Sequence, residues 1–181
     1  MILIGFGSNL RFCGRESPEI IAAAVHALSD IVNLQAVSRF YASPAWPDPS
    51  DPNFVNGVVA ATSQRSPTSL LEALHAIEAG FGRVRGVKNA PRTLDLDLLS
   101  YGDLVCGTGQ EHGLMLPHPA ISRRDFVLAP LNDIAPTWTH PVSGLTPGEM
   151  LDALEDRSAV PIPARADFWG LNPHIFKGYQ L

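Results

Sequence analysis

Apolar and polar positions alternate most strictly over residues 93–101, where Leu94, Leu96 and Leu98 fall on one side and Asp95 and Asp97 on the other. A period of two marks a β-strand with one face on a core. Apolar runs predict three earlier strands, over Met1–Phe6, Leu34–Tyr41 and Phe54–Thr62. In the last of these, Phe54, Asn56 and Val58 share one face, and Val55 and Val59 share the other. Helical spacing fills two of the intervals. Ile21, Val25 and Leu28 follow Ser17-Pro18-Glu19, which supplies an N-cap at Ser17, a first-turn proline and an early acid, and run to about Ser29. Leu70, Leu71, Leu74 and Ile77 follow Ser66-Pro67, with Gly80 or Gly82 as the stop. Between the second and third strands, residues 44–52 hold four prolines in nine positions, a stiff loop rather than an element.

The order strand, helix, strand, strand, helix, strand is that of two split βαβ units. It predicts an α+β, ferredoxin-like βαββαβ core with a mainly antiparallel sheet and helices packed on one face. C-terminal additions follow. Residues 103–105 and 114–116 are expected to pair as a short hairpin, residues 122–131 to form a short helix, and the capping-box sequence Thr146-Pro-Gly-Glu149 to start another helix running to about Glu155. The proline-punctuated stretch from Arg157 onward gives no clear element.

At 181 residues the chain reads as a single domain with enough length for a sizeable core. A net charge of −5 argues against a nucleic-acid binder. No apolar run reaches the length of a membrane span, and the apolar start lacks the charged region of a signal peptide. Two cysteines without framework or CxxC spacing point to a reducing cytoplasm. The placement of positive charge is more telling than its total. Arg83, Arg85, Lys88 and Arg92 lie within ten residues just before the aspartate strand, and Arg123-Arg124 form a second pair.

Two residues of strand advance about 7 Å, so Asp95 and Asp97 emerge on the same face. Like charges that close resist joint ionisation, and the arrangement calls for a cation, either Arg92 or a bound metal. An oxygen-only donor set suits Mg²⁺, which keeps waters and shares substrate phosphates, and two ions can use both carboxylates. The arginine forks match phosphate oxygens two at a time. Glu78, late in the second helix, reads equally as an exposed helix carboxylate or as a site residue. His118, held between Pro117 and Pro119 near Arg123 and Arg124, tilts towards phosphate contact, and Asn56 has the donors and acceptors to read a heterocycle edge. Gly5-x-Gly7 is weak evidence for phosphate binding, since it lacks the third glycine of the dinucleotide fingerprint and no P-loop occurs. The histidines have no zinc-site spacing with either cysteine.

Arg92-Thr-Leu-Asp-Leu-Asp-Leu-Leu99 resembles the signature of the 6-hydroxymethyl-7,8-dihydropterin pyrophosphokinases of folate biosynthesis. The likeness extends through Ile4-Gly-Phe-Gly-Ser-Asn-Leu10, Phe40-Tyr-Ala-Ser-Pro44, Phe54-Val-Asn56, Ile77-Glu78 with Gly82-Arg-Val-Arg85, and Pro117-His118 to Phe126-Val-Leu-Ala-Pro-Leu131. It implies transfer of the pyrophosphoryl group of ATP to the hydroxymethyl group of the pterin, with AMP as the second product, by a monomer. It implies two Mg²⁺ ions on Asp95 and Asp97, and catalytic roles for those carboxylates with Arg83 and Arg92. ATP would meet Glu78, Arg83, Arg85, Arg92, Leu98, His118 and Arg124. The pterin would meet Ser43, Pro44, Ala45, Trp46, Phe54, Asn56, Asp95 and Phe126. The loop from Arg85 to Arg92 is about one residue shorter than the common family form, and Asn89 stands where the family often has a tryptophan. Ala45 and Pro119 are further departures. Two rival classes are a binding module that kept the fold without catalysis and a metal-dependent nucleotidyltransferase that releases pyrophosphate.

Overall fold

The computed structural model describes residues 1–46, 48–84, 91–107 and 114–163. Six strands form one sheet: β1 (Ile2–Ser8), β2 (Asn33–Val37), β3 (Tyr41–Ser43), β4 (Phe54–Thr62), β5 (Asp95–Tyr101) and β6 (Val160–Pro161). Every pairing is antiparallel, and the order runs β5-β1-β4-β3-β6, with β2 also on β4. The helices are α1 (Ser17–Ser29), α2 (Pro67–Gly80), α3 (Asp125–Ile134) and α4 (Pro147–Asp152). This is the α+β, ferredoxin-like core that the element order predicts, and among the described residues no helix is long and apolar enough to cross a membrane.

The helices cover both faces of the sheet. α1 and α2 bury Ile20, Ile21, Leu28, Leu70 and Leu74 against Ile4, Phe6, Leu96 and Leu98. α3 and α4 cover the opposite face, where Leu128, Leu131 and Met150 meet Leu3, Val58 and Leu99. The two helices of the βαββαβ core thus share one face, as expected, and the C-terminal additions α3 and α4 cover the other. β1 and β4 are buried along nearly their whole length, so both of their faces require a cover. Leu99 falls on the face of Asp95 and Asp97, opposite Leu98. A bulge follows Leu98: Ile4 pairs with Leu98 and Leu3 with Ser100, so the extra residue turns Ser100 to the same face as Leu99 and sends Tyr101 to the α1–α2 side.

The predicted strand over 34–41 is broken. Ser38 interrupts the ladder by accepting the Val58 N–H on its hydroxyl at 2.9 Å, while donating that hydroxyl to the Arg39 carbonyl at 2.7 Å. The Ser38 N–H still donates to the Val58 carbonyl at 3.0 Å, but its side chain has replaced its carbonyl as the acceptor in the return bond, and the chain restarts as β3. The N-cap of α1 is Glu16 rather than Ser17: the Glu16 N–H donates to the Glu19 carboxylate at 2.8 Å. α2 is capped by Ser66 as its sequence indicates. The helix expected over 122–131 is a single 3-10 turn at Ile121–Arg123 followed by α3, and α4 ends at Asp152. In place of the 103–105/114–116 hairpin, the described residues show one bridge, Cys106 to Leu116.

Asp133 locks α3 to the sheet. It receives Arg39 Nε at 3.0 Å, Arg39 Nη2 at 2.6 Å and the Tyr41 hydroxyl at 2.9 Å. Burial and the nearby carboxylate push the Tyr41 phenol up to about 12, so it stays a donor throughout the working pH range.

Candidate active site

Register decides what shares the face under α3. Gly7 pairs with Asp95 on one side and Asn56 on the other, and Gly5 pairs likewise with Asp97 and Val58. Tyr41 extends the first row beyond Asn56. Facing residues in an antiparallel sheet point the same way. Asp95 and Asn56 therefore stand on one face with a strand between them that carries no side chain at Gly7. The glycines are a bare floor rather than a phosphate-binding turn. A Cβ at Gly7 would lie 3.0 Å from Asn56 Oδ1, and one at Gly5 would lie 3.3 Å from Leu99 Cδ1.

Over this floor lies a cavity of about 540 Å³, lined by Ser43, Pro44, Ala45, Trp46, Phe54, Asn56, Arg92, Asp95, Asp97, Arg124 and Phe126 among others. At one end Asn56 is buried and donates from Nδ2 to the Ser43 hydroxyl at 2.9 Å. Ala45 is buried too, whereas Trp46 is 73% exposed at the mouth. Each carboxylate has an arginine that also faces a phenylalanine. Arg92 Nη1 donates to Asp95 Oδ2 at 2.8 Å, and its guanidinium stands 5.8 Å from the centre of the Phe54 ring. Arg124 Nη1 lies 3.6 Å from Asp97 Oδ2, with its guanidinium 5.7 Å from the centre of the Phe126 ring. Two Asp–Arg–Phe sets thus flank one slot.

A second group of predicted residues lies at the outer edge of β5. Glu78 is 2% exposed, so the exposed-carboxylate alternative is overturned. Its Oε1 accepts the Leu96 N–H at 2.9 Å and Arg83 Nη1 at 3.1 Å. Arg83 Nη1 also donates to the Leu94 carbonyl at 2.8 Å and contacts Asp95 Oδ1. Asp95 is therefore held by Arg83 and Arg92 together. His118 follows a cis Leu116–Pro117 bond, donates its N–H to the Leu99 carbonyl at 2.8 Å, and accepts the Ala120 N–H on Nδ1 at 3.2 Å. The Leu98 side chain, 3% exposed, packs in the core beneath α1 and α2, so the expected nucleotide contact is closed to that side chain. Arg85 and Asn89 lie outside the described residues.

Burial, and then the charge of Asp95, push the Asp97 carboxyl above its ordinary value, against the opposing pull of His118, Arg124 and Arg83. Burial pushes the His118 imidazole down, against the pull of Asp97. Among the described residues no three His, Cys, Asp or Glu side chains converge as a metal cage. Mg²⁺ characteristically uses one or two carboxylates and completes its shell with waters and phosphates, so this oxygen-only pair suits it.

Three structural residues escaped the sequence reading. Asn9 is buried and bonds both Arg92 and Pro52, Asp125 holds the chain at Ser158 and Ala159, and Asp133 holds Arg39. Asn9 alone had a signal, its place inside the Gly-Ser-Asn stretch.

A ferredoxin-like α+β sheet with paired carboxylates, facing arginines and an aromatic slot defines a transferase of phosphoryl-type groups. The chain belongs to the 7,8-dihydro-6-hydroxymethylpterin-pyrophosphokinase (HPPK) family, whose model matches residues 3–136. It is 38% identical over 149 residues to the 2-amino-4-hydroxy-6-hydroxymethyldihydropteridine pyrophosphokinase of Synechocystis, covering 82% of this chain and 74% of that one. It is 41% identical over 137 residues to the Pseudomonas aeruginosa protein of the same name, covering 75% and 80%. The fold is similar to the crystal structure of Plasmodium falciparum HPPK-DHPS, with a TM-score of 0.64 and 15% identity, covering 83% of this chain and 44% of that longer one.

Proposed function

We propose that the chain transfers the pyrophosphoryl group of ATP to the hydroxymethyl group of 6-hydroxymethyl-7,8-dihydropterin, a step of folate biosynthesis, giving AMP and the pterin diphosphate. Family membership supports the reaction. The observation that carries the assignment of residues is the pair of Asp–Arg–Phe sets around one slot, with the Asn56–Ser43 pair at its end.

In this reading Asp95 and Asp97 hold two Mg²⁺ ions, which when bound neutralise the triphosphate and fix its oxygens. Arg83 and Arg92 exchange Asp95 for phosphate oxygens as the nucleotide binds, since a guanidinium fork suits either partner. Arg124 serves the Asp97 side in the same way. Asn56 offers its amide oxygen, and Ser43 its hydroxyl, to the polar edge of the pterin. Phe54 and Phe126 supply flat apolar faces for its ring. So placed, the pterin hydroxyl attacks the β-phosphorus in line. The new O–P bond forms as the bond from the β-phosphorus to the α–β bridging oxygen breaks, the hydroxyl proton leaves, and AMP departs. Arg85, Glu78 and His118 belong to the nucleotide side in this reading; Glu78 acts there by fixing Arg83. Residues 1–181 work in this proposal as one such domain, a monomer in the cytoplasm, where Cys13 and Cys106 remain reduced.

The test is product identity. Incubation with ATP, Mg²⁺ and the hydroxymethyl dihydropterin yields AMP and pterin diphosphate in equal amounts. Release of pyrophosphate would make the chain a nucleotidyltransferase, and absence of turnover with retained binding would make it a binding module.

A further inference from the structure

Helix α3 is fixed at each end by a carboxylate. Asp133 grips Arg39 and Tyr41 at its C-terminal end. At its N-terminal end Asp125, 7% exposed, accepts the Phe126 N–H on Oδ1 at 2.7 Å. Its Oδ2 takes the Ala159 N–H at 2.7 Å, the Ser158 hydroxyl at 3.3 Å and the Ser158 N–H. An acid in a first helical turn needs only its own helix's amides for partners. Three of these four donors instead come from a segment 33 or 34 residues further along the chain.

That segment is built into the sheet immediately beyond the latch. Val160 pairs with Ala42 and Pro161 with Tyr41 as β6, and the Ile162 N–H donates to the Phe40 carbonyl at 2.8 Å. Ile162 packs on the main core. The same stretch lines the cavity: Asp156 and Ser158 share its wall with Phe126, Ser43 and Ala45. Asp125 thus joins two things that differ in sequence and meet at one place, the start of the helix that carries Phe126 and the returning chain beside β3.

We propose that Asp125 is a positioning residue for the acceptor: it seats residues 156–161 as the outer wall of the cavity end that receives the pterin, beside Phe126. The inference rests on the reading that this end binds the pterin. Loosening the latch leaves Asp95 with Arg83 and Arg92, held from β5 and the loop before it, in place but opens the side of the acceptor slot. The ring then loses contact on one flank, and the loss falls on acceptor binding rather than on nucleotide binding.

Steady-state kinetics of the full chain, with each substrate varied in turn, tests this. For Asp125→Ala the acceptor KM rises about tenfold while the ATP KM stays within about twofold, and Asp125→Asn, which keeps an acceptor oxygen, recovers part of the difference. Ala159→Pro removes one donor of the latch without touching α3, and shifts the acceptor KM in the same direction; it decides the matter if Asp125→Ala fails to fold. A merely structural role would lower the melting temperature with both KM values unmoved, or raise the two together, and either result overturns the proposal. A wild-type chain that forms no AMP from ATP and the pterin overturns the functional reading instead.

Discussion

Asn9 and Arg92 are bonded to each other twice: Arg92 donates its N–H to Asn9 Oδ1 at 2.8 Å, and Asn9 donates its own to the Arg92 carbonyl at 3.1 Å. Leu10 adds a third bond to that carbonyl at 3.2 Å, and Asn9 Nδ2 reaches the Pro52 carbonyl at 3.0 Å. One buried amide therefore ties the loop after β1, the end of the arginine loop and the proline loop together. Asn9→Ala removes two of these bonds and frees Arg92 to wander from Asp95. Its kcat/KM should fall about 10–100-fold, since small misplacements near reacting groups are costly. Unfolding free energy should fall by about 1–3 kcal/mol, measured by urea denaturation. Unchanged kinetics would show that Arg92 does not depend on this staple.

Glu78 and Arg83 carry the next prediction. Glu78→Ala leaves the buried Leu96 N–H unpaired and removes one of the acceptors of Arg83. Loss of a partner from a buried pair is severe, so stability should drop by about 3 kcal/mol. Glu78→Gln keeps an acceptor for Leu96 and should cost about 1 kcal/mol. Equal effects from the two substitutions would contradict the backbone bond as the main role of Glu78.

For Asp97 the pH dependence has a definite sign. Its carboxyl is raised in the folded state, so between the ordinary value and the raised one the native chain holds a proton that the unfolded chain has already released. Stability therefore declines as pH rises from the ordinary carboxylate value through the raised one. Without added metal, Asp97→Asn should melt at a higher temperature than the wild type at neutral pH. The advantage should vanish at acid pH, where the Asp97 carboxyl of the wild type is protonated in the folded and the unfolded state alike. A lower melting temperature for the variant at neutral pH would show that Arg124 more than offsets the burial of the charge.

Gly7→Ala tests the bare floor. The added Cβ would meet Asn56 Oδ1 at 3.0 Å and push the amide away from Ser43. The acceptor KM should rise about fivefold or more, with a stability loss of about 1 kcal/mol. An unchanged acceptor KM would mean that Asn56 does not read the pterin.

The carboxylates, the arginines and Asn56 were legible because each breaks a local rule. Asp and Asn are rare in strands, and arginines seldom crowd one short loop. Phe54–Thr62 and α2 were legible because their apolar periods agree with their caps and breakers. Asp125, Asp133 and Asn9 left little or no mark, since their partners lie 33 to 94 residues away and their value exists only after folding. The broken strand at Ser38 has the same cause: its hydroxyl competes with the backbone only once β4 is alongside. The second helical layer answers to β1 and β4, which are buried along both faces, whereas the bulge after Leu98 that turns Ser100 and Tyr101 is a shift that a strict period of two cannot anticipate.

The central claim is that Asp95 and Asp97 jointly hold the reacting triphosphate. Its most direct test is the rate of AMP formation from ATP, Mg²⁺ and the hydroxymethyl dihydropterin by Asp97→Ala, alongside the melting temperature of the same variant. Turnover should fall roughly a thousandfold or more while the protein stays folded, as befits removal of a group that stabilises transferring charge. Turnover close to that of the wild type would contradict the claim.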